Sequence, residues 1–84
     1  MSYTLFILSR AQNELARLPE DIYPHIREAI RALAHDPRPR GCIKLTGRDG
    51  WRIRVRNYRV IYEIDASRNT LTVLHVGHRR DVYR

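Results

Sequence analysis

Little in this chain suits it to a site built from crosslinks or bound metal. Cys42 is its one cysteine, so no intramolecular disulfide can form, and no group of Cys, His, Asp or Glu has metal-ligand spacing. It holds only 4 glycines, and none makes a phosphate-cradling loop ahead of a helix. Paired carboxylates and a supported Cys/His couple are missing as well, and no cofactor is implied. No apolar run could span a bilayer, so no membrane partner is expected. The first residues, Met1 to Leu8, have neither a basic start nor the apolar length of a secretory signal. A reducing cytoplasm is the expected location.

Acidic residues are scarce too. There are 9 Asp+Glu against 16 Lys+Arg, giving a formal net charge of +7. Most of the excess is arginine, whose planar fork donates two hydrogen bonds at once to phosphate. Such a balance points to nucleic acid, an acidic protein partner, or both. A hydrophobic content of 43% and clear periodicities exclude disorder. With 84 residues, a single domain spanning 1–84 is expected. Folding at this size buries roughly 60–65% of the surface of the unfolded chain, which allows one modest core.

Residues 3–8 are β-rich and read as a first strand. Ser9 and Gln12 have capping-box spacing and open a helix to about residue 18, with Ala11, Leu15 and Leu18 on one face. Pro19 ends it. A second helix is expected from about residue 21 to 35, with Ile22, Ile26, Ile30 and Leu33 as its apolar stripe and Pro24 in its first turn. Residues 36–41, with Pro37 and Pro39, make a stiff basic connector. Residues 42–45 read as a short strand or an edge extension, 46–50 as a turn and 70–76 as the last strand, which completes an antiparallel meander of the last three strands and leads into a basic tail. The order is β-α-α-β-β-β. It predicts an α+β domain in which a helical hairpin packs on a small antiparallel sheet.

The stretch between residues 51 and 64 is the most informative. Trp51, Ile53 and Val55 alternate with Arg52, Arg54 and Arg56, the period of a half-buried strand. Arg56-Asn57 can form a two-residue turn, since Asn tolerates positive φ. That turn sets Val55 opposite Tyr58, Arg54 opposite Arg59, Ile53 opposite Val60 and Trp51 opposite Tyr62. The apolar residues then share one face, and Arg52, Arg54 and Arg59 share the other. Like charges directly opposite one another are destabilising, so the array reads as a site for a polyanion.

Several strings carry a resemblance: Arg52-Ile-Arg-Val55, Tyr58-Arg-Val-Ile-Tyr62, Val76-Gly-His-Arg79 and Val82-Tyr83, in that order and spacing. With the Leu18-Pro19 break and the prolines of the connector, the chain resembles the RelE-type toxins of the RelE/ParE superfamily. These are ribosome-dependent mRNA interferases of type II toxin–antitoxin pairs, and the resemblance covers nearly the whole chain. It implies a toxin that cleaves mRNA in the ribosomal A site by metal-free attack of the 2′-OH, so inhibiting translation. The implied partners are a small RelB-like antitoxin, mRNA, and the ribosome with its small-subunit (16S) RNA.

The resemblance also implies roles. Arg52 and Arg54 match positions that contact the mRNA backbone near the cleaved phosphate. Arg59 matches an arginine that stabilises charge on that phosphate, Arg79 a tail arginine that is a candidate acid toward the leaving group or a second stabiliser, and Tyr83 a tyrosine acting as general base and stacking partner. Lys44, Arg48, Arg56, His78 and Arg80 complete the expected RNA-binding set. Two departures stand out. The type member has lysines where this chain has Arg52 and Arg54, and an arginine is a poor base. The tail is also shorter between Arg79 and Tyr83, and His78 is the alternative proton acceptor. The rival expectation is a ParE-like toxin that inhibits DNA gyrase without cutting RNA. Such relatives usually lack the full arginine and tyrosine set.

Overall fold

A computed structural model of the chain describes residues 2–47 and 49–78. The elements are β1 (Thr4–Ile7), α1 (Ser9–Ala16), α2 (Tyr23–Leu33), β2 (Ile43–Lys44), β3 (Trp51–Val55), β4 (Tyr58–Asp65) and β5 (Thr70–His78). Among the described residues, no helix is long and apolar enough to cross a membrane.

The strands form one sheet in the order β1-β5-β4-β3-β2. The expected antiparallel meander of the last three strands is there as β3 to β5, and residues 43–44 add the two-residue β2 antiparallel to β3, one strand more than the expected order held. The sheet as a whole is mixed, however, and not wholly antiparallel: β1 lies parallel to β5, with Leu5 beside Leu71 and Ile7 beside Val73. A parallel pair needs a long connection. Here the helical hairpin and the meander together supply it, and β5 returns running in the direction of β1.

The entry to α1 differs from the capping box read in the sequence. Leu8 is the boundary residue, with φ −60° and ψ 151°, and no side chain caps the helix. The cause lies in the sheet: the Leu8 N–H is still engaged by the Val73 carbonyl at 3.0 Å, so the chain turns one residue early and Ser9 enters the first turn. Gln12 does reach back, but as a donor, from Nε2 to the Ile7 carbonyl at 2.8 Å. At the other end, Arg17 and Leu18 N–H bond the Glu14 and Leu15 carbonyls, a tightened final turn before Pro19. The second helix is shorter than expected at both ends, and Pro24 sits in its first turn, where its missing N–H costs little.

The helices cover one face of the sheet. Ala11, Ile26, Ile30 and Leu33 pack with Ile53, Val60, Tyr62, Leu71, Val73 and Val76 in one buried cluster. Tyr62 lies at the centre of the sheet, 0% exposed, and donates its hydroxyl to the Pro37 carbonyl at 2.7 Å. This bond ties the Pro37 connector to β4. Burial, foremost, holds the Tyr62 phenol protonated well above its ordinary pKa of 10.0.

Two outcomes are expected. Tyr62→Phe strands the Pro37 carbonyl and lowers unfolding free energy by about 1–2 kcal/mol in a urea titration. The pH dependence follows from the raised pKa. Above pH 10 the unfolded chain releases the phenolic proton while the folded chain keeps it. The stabilisation is therefore full below pH 10 and drains as pH rises beyond it. Alkaline melting curves should show a fall in stability that is smaller in Tyr62→Phe.

Candidate functional site

The hairpin forms with the register read from the sequence: Trp51 opposite Tyr62, Ile53 opposite Val60, Arg54 opposite Arg59 and Val55 opposite Tyr58. The turn differs in one detail. The positive φ falls on Arg56, at 55°, and not on Asn57. Arg56 in turn meets α2, its Nη2 lying 3.1 Å from His25 Nε2.

Alternation sorts the sheet into two faces. Trp51, Ile53, Val55, Tyr58, Val60 and Tyr62 look toward the helices, and Arg52, Arg54, Arg59 and Ile61 look away from them. On this open face Arg54 and Arg59 stand directly opposite each other. Ile61 is 2% exposed although no helix covers it and it lies outside the helix-side cluster. Arg52 lies opposite Ile61 and Arg59 is two residues along, and both are half-buried with their Nε atoms hidden from solvent. Half-buried arginines at these positions have less freedom than Arg54 in where their guanidinium groups can point. Arg54 is exposed.

The last strand is not a simple alternation. Ile61 pairs with His75, but Tyr62 pairs with Val73, so Leu74 is an extra residue in β5. This β-bulge reverses the alternation beyond it. Val76 stays on the core side, opposite Val60, while His75 and Gly77 pass to the arginine face, opposite Ile61 and Arg59. His78 then falls on the helix side, where it meets the core-packed Tyr58 edge-on at 5.5 Å and 80°. The structure thus does not set His78 beside the arginines; it sets His75 there.

None of His75, Arg10 and Glu14 was among the site residues expected from the sequence. Beyond the end of β1, α1 lies along the exposed edge of β5. Glu14 Oε1 accepts the Val76 N–H at 2.9 Å, and Glu14 Oε2 pairs with His75 Nδ1. Arg10 lies one turn away, with Nε 3.6 Å from Glu14 and Nη2 3.4 Å from His75 Nε2. The Arg10–Glu14 spacing of four residues was the only signal available for this cluster.

Other expected residues are dispersed. Lys44 pairs with Trp51 on the helix side, its ammonium 5.8 Å from the Trp51 ring centre, and Arg38 lies 5.5 Å from the same ring. Lys44 therefore does not join the arginine row. A cleft of about 410 Å³ opens at that end, and Asp49, Glu63 and Asp65 line it with Lys44 and Trp51. Its carboxylates make it unsuited to an anion. The Ser67 hydroxyl and Arg68 N–H, both donating to Asp65, hold that carboxyl below its usual pKa. Arg48, Arg79, Arg80 and Tyr83 lie outside the described residues. No group of three or more His, Cys, Asp or Glu among the described residues could hold a metal ion.

The fold and this face can be set beside known proteins. A family model described as the ParE toxin of the type II toxin–antitoxin system parDE matches residues 5–83. The chain belongs to the RelE/ParE superfamily of type II toxins. Toxin RelG of Mycobacterium tuberculosis is 31% identical to it, across 100% of this chain and 99% of its own. A chain of the archaeal RelE–RelB complex from Pyrococcus horikoshii superposes with a TM-score of 0.84 at 30% identity, covering 98% of this chain and 100% of that one. A chain of the intact E. coli RelBE toxin–antitoxin complex gives 0.80 at 25% identity, over 92% and 96%. The two helices on a five-stranded mixed sheet are thus the RelE-like α+β fold, and the toxin's arginine face is the outer surface of that sheet.

The opposed arginines have a measurable cost in the unliganded toxin. Arg54→Gln removes one member of the facing pair and should raise stability by about 0.2–1 kcal/mol at low ionic strength. The gain should shrink at high salt, where the repulsion is screened. Thermal melts of the two proteins across a salt series read both effects.

Proposed function

We propose that this toxin is an endoribonuclease that cuts mRNA in the ribosomal A site in the cytoplasm and is neutralised by a RelB-like antitoxin. The observation that carries this reading is the grouping of Arg52, Arg54 and Arg59 on the open face, with Arg54 and Arg59 directly paired across the hairpin. Cations already fixed against a sheet need little reorganisation to meet charge that develops on a phosphate.

RNA brings its own nucleophile. A base takes the proton from the 2′-OH, the oxygen attacks phosphorus, and the bond from phosphorus to the 5′-oxygen breaks. The products are a 2′,3′-cyclic phosphate and a 5′-hydroxyl, and the leaving oxygen takes up a proton. In this scheme Arg52 and Arg54 grip the backbone and Arg59 stabilises the pentavalent phosphate. Arg79 serves the leaving group and Tyr83 takes the first proton. A tyrosine amid positive charge is a better base than one in water, because cations favour the phenolate. The solved relatives in RelE–RelB and RelBE complexes support a RelB-like partner.

The family model is named for ParE, and this favours a second reading in which the toxin poisons DNA gyrase without cutting RNA. The arginine row speaks against it, since an inhibitor that only binds has no use for cations converging on one phosphate.

A cleavage assay on ribosomes programmed with a defined A-site codon separates the two. Cutting by the wild-type toxin should survive EDTA. Arg59→Ala should lower the rate by on the order of 10²–10³, and Tyr83→Phe should lower it comparably. Absence of cutting by folded, antitoxin-free toxin, together with inhibition of gyrase supercoiling, would establish the second reading instead.

A further inference from the structure

The bulge at Leu74 creates a cluster that the arginine hairpin leaves unexplained. His75 shares the open face with Arg52 and Arg59, across Ile61 from the first and diagonal to the second. Two strand spacings, roughly 10 Å, separate the backbones of Arg52 and His75. Between Arg59 and the far edge of β5 stands Gly77, with no side chain to obstruct the surface.

His75 is held firmly for a surface histidine. Its side chain is 13% exposed and its Nδ1 is paired with Glu14, whose other oxygen is anchored by the Val76 N–H. Arg10 reaches Nε2 of the same ring and keeps its side chain 65% exposed. A guanidinium only donates, so the Arg10 contact casts Nε2 as an acceptor, while Nδ1 lies beside the Glu14 carboxylate as its ion-pair partner. In this state Arg10 and Glu14 cancel in charge.

We propose that Arg10 and His75, with Glu14 as their positioning residue, form a second phosphate subsite that continues the Arg54–Arg59 row. The subsite takes the phosphate of a neighbouring nucleotide in the same single-stranded RNA, and so rests on the RNA reading above. Phosphate arrival changes the charge balance. The His75 ring takes one proton from solvent, Nε2 becomes a donor, and Nε2 and Arg10 converge on the anion while Glu14 stabilises the imidazolium. The charged groups around the ring are Arg10 and Glu14 from α1, Arg59 and Glu63 on the same face of β4, and Arg52 beyond them on β3. From β1, Ile7 and the adjoining Leu8 add no charge. Binding at this subsite is therefore coupled to proton uptake.

The test is binding of a 2′-O-methylated RNA oligonucleotide, which cannot be cut, followed by fluorescence anisotropy across salt and between pH 6 and 8. Arg10→Ala should weaken binding about tenfold at low salt and lower the slope of log K against log salt by about one. Arg10→Lys should restore the slope. Wild-type affinity should rise as pH falls, and His75→Gln should flatten that rise. Circular dichroism checks that each variant is folded; Arg10, being exposed, keeps the test valid even where His75→Gln destabilises the sheet. Unchanged affinity and slope in Arg10→Ala, with binding still lost in Arg59→Ala, would overturn the subsite and leave the RNA reading intact. A pH response that survives His75→Gln and vanishes in His78→Gln would also overturn it. If the wild type binds no RNA, the subsite falls, and the nuclease reading is decided by the programmed-ribosome assay alone. If it binds with the expected pattern but ribosome-bound mRNA stays uncut, the nuclease reading falls and the subsite stands.

Discussion

Everything on either face of this sheet depends on how β4 is registered. It is the one strand whose both neighbours are long, and its alternation decides what is core and what is surface. Val60 and Tyr62 point at the helices, and Tyr62 also reaches across to the Pro37 carbonyl and so fixes the connector that follows α2. Arg59 and Ile61 consequently point the other way. A slip by one residue would bury Arg59 under the helices and expose Tyr62. An unpaired guanidinium in that core costs far more than the repulsion between two arginines at the surface. The burial of the helix side is what obliges the open side to carry its charge.

That open side gathers its charge on neighbouring strands. Arg52 and Arg59 are half-buried beside the apolar floor that Ile61 makes on this face. Arg54 has no such floor and stays exposed. A face of this kind holds its arginines in place before any ligand arrives. Local cost retained within an otherwise consistent fold is the usual mark of a working surface.

What could be read from the sequence followed from short periods and turn chemistry. The hairpin register came from a strict alternation closed by a two-residue turn, and every pair agreed. The helical stripes and the Pro19 break were equally legible. Three features were not. The parallel pairing of β1 with β5 joins residues more than sixty positions apart, and neither strand states its partner. The start of α1 is decided by a ladder bond between Leu8 and Val73, which overrides the local preference of Ser9 for the cap. The bulge at Leu74 has no composition of its own: the string Leu71-Thr-Val-Leu-His75 reads as plain alternation, which would send His75 inward. Of the candidate site, the arginine row was visible from one strand pair, whereas the Arg10–Glu14–His75 cluster needed the tertiary path of α1 along the edge of β5.

The bulge matters beyond bookkeeping because of what arginines cannot do. A guanidinium grips and stabilises a phosphate but does not give up a proton near neutrality. On this chain the sheet's own cations therefore supply charge and position only, and proton traffic falls to other groups. Plain alternation would have placed His78 on the arginine face and His75 in the core. One inserted residue exchanges them, and the exchanged histidine arrives where a carboxylate on α1 already waits for its Nδ1. The same Glu14 satisfies the Val76 N–H beyond the end of β1. Closing the sheet edge and orienting the imidazole thus fall to the two oxygens of one carboxylate, so losing Glu14 would disturb both.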